Sequence, residues 1–359
     1  MSTPEKIQHW IRAEIRELMP YHVPDSSGLI KLDAMENPYL WPEDLHGEWL
    51  GMLSEVIVNR YPDSQARAVQ QKLRAVMNIP PAMDVILGNG SDELIQIIVL
   101  ALSAPGRVLL APEPTFSMYR MIALFTGMSF VGVPLRDDFS LDASSMLQAI
   151  KQHQPAVVFL AYPNNPTGNL FERAQVDAII KASPGLVVID EAYHAFAGDS
   201  YMPQLGSADN VVVMRTLSKM GLAGLRLGLL AGPPAWLREF EKIRLPYNIN
   251  VLTQASVAFA LDHIDVFNAQ TAAICTGRDY LMNELQRIDG VRPYPSHANF
   301  ILFRVTTGRA DPIFEGLKRA GILIKNLHRT NSPLAECLRV TIGTPEENTR
   351  FIASLRTVM

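Results

Sequence analysis

Cysteine is almost absent from this 359-residue chain: only Cys275 and Cys337 occur. With no second pair there is no disulfide framework and no Cys-based zinc site, a usage that fits a reducing compartment. Long apolar runs are missing too. The longest, 94–104, is interrupted by Gln96 and stops at Pro105-Gly106, too short to span a bilayer. The first 18 residues mix acids with bases around no apolar core of signal-peptide length. An excess of positive charge is also lacking, since 32 Lys and Arg face 36 Asp and Glu for a net charge of −4. Nucleic acid and anionic membrane therefore have no electrostatic claim as partners. No internal repeat or low-complexity segment is visible. These absences point to a cytoplasmic protein whose partner is a small molecule.

What the chain has is 48% hydrophobic residues, at a length that suits one large α/β domain with a smaller one. Helical periodicity runs through 5–18, 43–58 and 65–77, with Tyr61-Pro62-Asp63-Ser64 as turn and N-cap before the last. From Asp84 onward, short β-rich runs alternate with helical stretches: DVILG, RVLLA, MSFVGVPL, AVVFLA, LVVID, VVVMR and LRLGLLAG. Unbroken apolar runs separated by helices predict a mostly parallel sheet covered on both faces, a three-layer αβα architecture of the α/β class. Such sheets hold ligands beyond the carboxyl ends of their strands. After Pro233-Pro234 helical character prevails to about Ile288, including one long helix. NFILFRV, GILIK and CLRVTIG, with helices at 310–320 and 345–358, then read as a small α+β domain. The expected division is 1–40 as an N-terminal arm with part of the small domain, 41–262 as the large ligand-binding domain and 263–359 as the small C-terminal domain.

Four polar clusters follow the strands. Gly88-Asn89-Gly90, with Ser91-Asp92-Glu93 ahead of an apolar helix, offers backbone N–H groups and a hydroxyl at a helix N-terminus; it is an anion site or a bare capping box. In YPNNPTG, 162–168, two prolines and a glycine fix a turn that holds Asn164 and Asn165. Their side chains either meet a bound ring or carboxylate or decorate an exposed turn. Asp190 closes LVVID, and a carboxylate ending a buried strand needs a partner, either a cationic ring nitrogen or a structural Arg or Lys. In RTLSKMGLAGLRLG, 215–228, Lys219 and Arg226 sit among small and apolar residues. A desolvated lysine favours the neutral amine, which attacks aldehydes; arginine keeps its proton and suits a phosphate dianion. For either cation alone, a snorkelling surface residue is the commoner explanation. Around His194 no ligand partners stand at metal spacing, so no metal site is expected.

Taken together and in order, NNPTG, DEAY and SK with the following GLR resemble the motifs of the aspartate-aminotransferase-type, fold type I, pyridoxal-phosphate enzymes, and within them the histidinol-phosphate aminotransferases. The resemblance covers essentially the whole chain, from LDAMENP to CLRVTIGTPEEN. It implies that fold, a pyridoxal 5'-phosphate cofactor, and a homodimer. It also implies transamination between L-histidinol phosphate or imidazole-acetol phosphate and glutamate or 2-oxoglutarate, in histidine biosynthesis. Lys219 would bond to the cofactor and shuttle the substrate proton, Asp190 would pair with the pyridinium nitrogen, and Asn165 and Tyr193 would hydrogen-bond the phenolic oxygen. Gly90, Ser91, Asp92, Ser218 and Arg226 would hold the cofactor phosphate, with Tyr61 reaching it from the other subunit. Phe116, in EPTFSMY, would stack on the ring. On the substrate side Arg339 would clamp the α-carboxylate, and Tyr21, Asn165 and Lys325 would also contact substrate; many relatives carry arginine at the place of Lys325. The Lys219-to-Arg226 spacing is one residue shorter than in much of the superfamily, so the loop is expected to tighten at Gly221 and Gly224. An aromatic amino acid aminotransferase, a phosphothreonine decarboxylase and a non-enzymatic ligand-binding domain of the same fold remain as alternatives. Retention of Lys219, Asp190 and Arg339 together counts against the last.

Overall fold

The computed structural model describes residues 2–20 and 23–359. At its centre lies a seven-stranded sheet in the order Asp84–Asn89, Leu227–Gly232, Val211–Thr216, Leu186–Asp190, Val157–Ala161, Val108–Glu113, Ser129–Pro134. Leu227–Gly232 runs antiparallel to both its neighbours, and the remaining pairs are parallel. The central strands are buried along their whole length because successive side chains enter different cores. Val158, Leu160, Val187, Ile189 and Val213 join one cluster, whereas Val157, Phe159, Val188, Val212 and Met214 join the other. Helices close both faces. Ser91–Leu102 supplies Leu94, Ile95 and Ile98 to one side; Ala143–His153 and Arg173–Ala182 supply Met146, Ile150, Val176 and Ile179 to the other. Each such side chain, fully buried, stabilises the fold by about 1.5–3 kcal/mol.

A second, antiparallel sheet of four strands follows the order Lys325–Asn326, Cys337–Thr341, Phe300–Val305, Val291–Pro293. It packs with the helices Ile264–Gln286, Ala310–Arg319 and Pro345–Val358 around a core of its own. Near the start of the chain, Ile30–Lys31 pairs in parallel with Ile322–Leu323, so this N-terminal segment belongs to the small lobe. The 23-residue helix Ile264–Gln286 is rooted in both cores, Phe267 in the large one and Ile274, Leu281 and Leu285 in the small one. One rigid rod of about 34 Å thus ties the lobes together. Among the described residues no helix is long and apolar enough to cross a membrane.

Three helical expectations need correction, one of them simply in length: the stretch 43–58 forms the helix Glu43–Ser54, and Ile57 and Val58 lie exposed beyond it. The periodic stretch 5–18 is split into Thr3–Trp10 and Ala13–Arg16, neither of which buries a residue, and Trp10 is 75% exposed. An amphipathic stripe with no face of its own chain to pack on lacks the tertiary contact that would hold one long helix. The helix expected from 65 begins at Arg67, because Ala66 is left-handed with φ of 45°. The Asp63 carboxylate accepts the Gln65 and Arg67 N–H groups at 3.2 and 3.0 Å and sets that start.

The antiparallel strand Leu227–Gly232 passes very close to the beginning of helix Ser91–Leu102. A Cβ on Gly228 would lie 2.8 Å from the Gly90 carbonyl carbon and 2.8 Å from the Ser91 nitrogen, both backbone atoms. Gly228→Ala should therefore push the Gly90-Ser91 turn away from the sheet. The expected result is a loss of about 1–3 kcal/mol in urea unfolding, typical of forced overpacking, whereas Gly224→Ala, with nothing within 4 Å of its Cβ, should cost far less.

Candidate active site

The loop after strand Val211–Thr216 is shaped by two single turns of 3-10 helix, Ser218–Met220 and Ala223–Leu225, and closed by the Leu217 N–H donating to the Leu227 carbonyl at 3.0 Å. The tightening falls on Gly221, with φ of 113°, and on Arg226 itself, with φ of 51°. Gly224, expected to share that role, has no positive φ. The compact loop brings Lys219 and Arg226 into one cleft with Ser91, Asp92, Phe116, Asn165, Asp190, Tyr193 and Ser218. Gly90 belongs to it as well: a Cβ there would lie 2.6 Å from Arg226 Nη2, so only glycine lets the guanidinium approach this turn.

Lys219 Nζ donates to the Ala34 carbonyl at 3.2 Å. Its pKa is lowered to about 8, first by burial and then by the nearby Arg339 guanidinium, with Glu36 opposing. A neutral amine is therefore within easy reach near neutral pH. Arg226 is less buried than its apolar neighbours suggest, with half its side chain exposed, and stands 3.6 Å from the half-exposed Asp92.

Asp190, at the end of its strand, is 4% exposed. Its carboxylate accepts the Tyr119 hydroxyl at 2.5 Å and the Ala192 N–H at 3.1 Å. Among the described residues no cation pairs with it, and burial raises its pKa to about 6 although the Tyr119 hydrogen bond pulls the other way. The structural Arg or Lys considered as its partner goes elsewhere: Arg215 is bound to the fully buried Glu191, its Nε at 2.9 Å, and packs behind the site. A buried anion facing a cleft without a counter-charge fits a cationic ring nitrogen.

Asn165 connects the lobes. Its amide donates to the Tyr193 hydroxyl at 3.1 Å, and its oxygen accepts from Arg339 Nη1 at 2.6 Å. Arg339 Nη2 donates in turn to the Asp33 carbonyl at 2.9 Å. Asn164, by contrast, is fully buried and spent on the turn: it accepts from the Thr115 hydroxyl and donates to the Pro114 carbonyl and Thr167 hydroxyl. Of the two asparagines only Asn165 faces the cleft. Burial also holds the proton on Tyr193 and keeps His194 neutral, its pKa lowered to about 3.

Other expected site residues lie farther out. Lys325 is the cross-strand neighbour of Arg339. Tyr61 is 80% exposed and stacked on Tyr247, ring centroids 4.4 Å apart, and does not line the cleft of its own chain. Tyr21 falls outside the described residues. The helix-start question at 88–93 resolves in both directions: Glu93 accepts the Asn89 N–H at 2.6 Å as a cap would, while Ser91 and Asp92 still line the cleft. Sequence reasoning missed Tyr119, Thr216 and Met35. Tyr119 stands three residues beyond Phe116 in EPTFSMY, a helical spacing that hints at a shared face but cannot name Asp190 as its partner. Thr216 accepts the Ser218 N–H at 3.2 Å and sets that turn.

The Asp190 carboxyl binds its proton more tightly in the folded protein, with a pKa of about 6, than an ordinary aspartate does at 3.8. Stability should therefore fall as pH rises between those values, the full cost persisting above 6. Asp190→Asn is expected to raise the melting temperature of the cofactor-free protein at pH 8 and to give no gain at pH 4, measured by thermal scans at both.

A histidinol-phosphate aminotransferase of Nitrosococcus oceani is 55% identical over 354 residues, covering 99% of this chain and 98% of that protein. One from Chromobacterium violaceum is 50% identical, covering 98% of each. The crystal structure of histidinol-phosphate aminotransferase from Sinorhizobium meliloti in complex with pyridoxal-5'-phosphate superimposes with a TM-score of 0.87 at 24% identity, covering 97% of each chain, a likeness of fold. Residues 28–355 match the family model for aminotransferase class I and II, and the chain belongs to that family.

Proposed function

We propose that this chain is a histidinol-phosphate aminotransferase of histidine biosynthesis. It would use pyridoxal 5'-phosphate to pass an amino group between glutamate and imidazole-acetol phosphate, yielding 2-oxoglutarate and L-histidinol phosphate. The observation that carries the reading is the convergence in one cleft of Lys219, whose amine has a depressed pKa, with the buried carboxylate of Asp190, with which no cation among the described residues pairs. Full-length relatives at 50–55% identity bearing that name support the choice of substrate. The residues fit the cofactor: an anion for a ring nitrogen, an amine for an aldehyde, and an Arg226–Gly90–Ser91–Ser218 cradle for a phosphate.

When bound, pyridoxal phosphate supplies an aldehyde carbon that accepts amines and a ring that draws electron density away from the substrate Cα. The protein groups do the rest. Asp190 keeps a proton on the ring nitrogen, and Tyr119 holds the carboxylate in place. Asn165 and Tyr193 offer hydrogen bonds to the phenolic oxygen. Arg226, Ser218, Ser91 and the N–H groups at Gly90 and Asp92 would hold the phosphate, and Phe116, which lines the same cleft, would stack on the ring. Arg339 clamps the substrate carboxylate with its planar fork. Lys219 Nζ, an amine poised to be neutral, would serve as the general base that takes and returns the substrate Cα proton. Since one site serves glutamate and a phosphorylated partner in turn, the kinetics are ping-pong.

Tyr61 and Tyr247 form an exposed aromatic pair near the exposed Ile57 and Val58 in sequence. This supports a homodimer in which Tyr61 reaches the neighbouring subunit's phosphate site. In this reading 1–40 is an N-terminal arm with part of the small domain, 41–262 the large domain and 263–359 the small one; the pairing of Ile30–Lys31 with Ile322–Leu323 supports the first assignment. Two free cysteines accord with a cytoplasmic setting.

The purified protein should be yellow and bleach with borohydride, and Lys219→Ala should fold yet lose turnover by at least the 100- to 10,000-fold, roughly, of a lost general base. A colourless wild type refutes the cofactor. Lys325→Ala should raise KM for imidazole-acetol phosphate by about 10-fold, the loss of one charged contact, and leave glutamate nearly unchanged. In a substrate panel, faster turnover of aromatic 2-oxo acids than of imidazole-acetol phosphate would sink the substrate choice.

A further inference from the structure

Among the residues lining the cleft, two that are not glycine adopt a left-handed backbone: Arg226 and Met35, with φ of 51° and 52°. Arg226 has its place in the phosphate cradle. Met35 has none in the chemistry derived so far. A side chain with a Cβ is disfavoured in this region, and an unbranched apolar residue gains no local hydrogen bond there as Asn or Asp would. Such conformations persist where the surroundings over-determine them and concentrate at functional sites.

The surroundings here are explicit. The Met35 N–H donates to the Thr341 hydroxyl at 3.0 Å, and its carbonyl accepts from the Nδ2 of fully buried Asn299 at 3.0 Å. The two preceding carbonyls are also taken by side chains, Ala34 by Lys219 and Asp33 by Arg339. Three consecutive carbonyls are thus held by the candidate catalytic amine, the candidate carboxylate clamp and a buried amide. The backbone of residue 35 has no freedom to place its side chain elsewhere. That side chain lines the cleft and packs against the small-lobe cluster containing Tyr193 and Phe300. It sits one residue from the carbonyl that receives Lys219 Nζ, beside the place where a substrate Cα must meet that amine.

We infer that Met35 is a specificity-determining residue: its thioether forms the apolar wall against which the ring of a heteroaromatic substrate packs, while the short chain of glutamate does not use it. This rests on the reading under Proposed function that one site alternates between a ring-bearing and an acidic substrate. A thioether suits the part, being polarisable, flexible and favourable against aromatic edges. Apolar contacts of this size discriminate substrates by about 10-fold or more.

The test uses holoenzyme carrying Met35→Asn, which suits the left-handed backbone, and Met35→Leu, which keeps apolar bulk. For Met35→Asn, kcat/KM for imidazole-acetol phosphate should fall about 10-fold, mainly through KM, while the glutamate half-reaction changes less than about two-fold. Met35→Leu should retain most of the ring preference. Calorimetric binding of imidazole-acetol phosphate to the aldehyde form of the enzyme, with which it cannot exchange an amino group, should weaken in parallel for Met35→Asn. The melting temperature of Met35→Asn should not fall below wild type. Equal losses for glutamate and the ring substrate, unchanged ring binding, or a melting temperature lowered by several degrees would each overturn the assignment in favour of a packing role. If wild type prefers an aromatic 2-oxo acid, the substrate named under Proposed function fails, and the Met35 comparison is made with that acid.

Discussion

A carboxylate buried at the end of a central strand, with no cation beside it among the described residues, is the constraint on which the site depends. Asp190 stays in this position because the strand carrying it is packed on both faces, and among the described residues its two oxygens are met by a tyrosine hydroxyl and one backbone N–H. Burial penalises its charge, which raises its proton affinity and leaves the protein without ligand in a less favourable electrostatic state. A ligand with a cationic nitrogen relieves that penalty, so the same burial that weakens the empty fold strengthens binding. Lys219 is the mirror case, an amine whose charge is penalised by burial and by the neighbouring Arg339. Anion and amine each lack in the protein what an aldehyde-bearing pyridine offers.

Behind this pair the protein spends its own ion pair differently. Glu191, the residue after Asp190, is bound to Arg215, to the Ser200 hydroxyl and to the Tyr201 N–H. Breaking one member of such a buried pair costs about 3–5 kcal/mol, so the pair acts as an anchor for the strand ends. Adjacent carboxylates at one strand end therefore have opposite uses. Glu191 is neutralised from within, and Asp190 is left open to the cleft.

The two lobes meet at the chain of contacts from Tyr193 through Asn165 and Arg339 to the strap at 33–35. Arg339 comes from the small sheet and Asn165 from a turn at the end of a large-sheet strand, so a ligand that engages Arg339 acts on a contact between lobes. The long helix Ile264–Gln286 keeps their spacing, whereas these few hydrogen bonds fix their local register. In the proposed enzyme, recognition of the substrate carboxylate and the arrangement of the ring-binding residues are therefore mechanically linked.

Much of this was legible in the chain alone. Runs such as VVFLA and LVVI are apolar at every position, which only a strand covered on both faces can bury, and Asp190, Lys219 and Arg226 stood out as charged residues near the ends of such runs. Local sequence could also name the phosphate turn, because glycines and a serine before an apolar helix make an anion site by backbone geometry. It could not decide between partners. That Asn164 locks the turn while Asn165 faces the cleft, that Tyr119 rather than a cation meets Asp190, and that Arg226 rather than Gly224 takes the left-handed position are outcomes of contacts between residues far apart in the chain. Met35 is the clearest instance: nothing in LDAMENP signals a strained backbone, because the strain is imposed by Asn299 and Thr341 from the other end of the molecule. Burial pattern and turn chemistry are local and so can be read in order, but the partner of a polar group is settled only when distant segments are brought together.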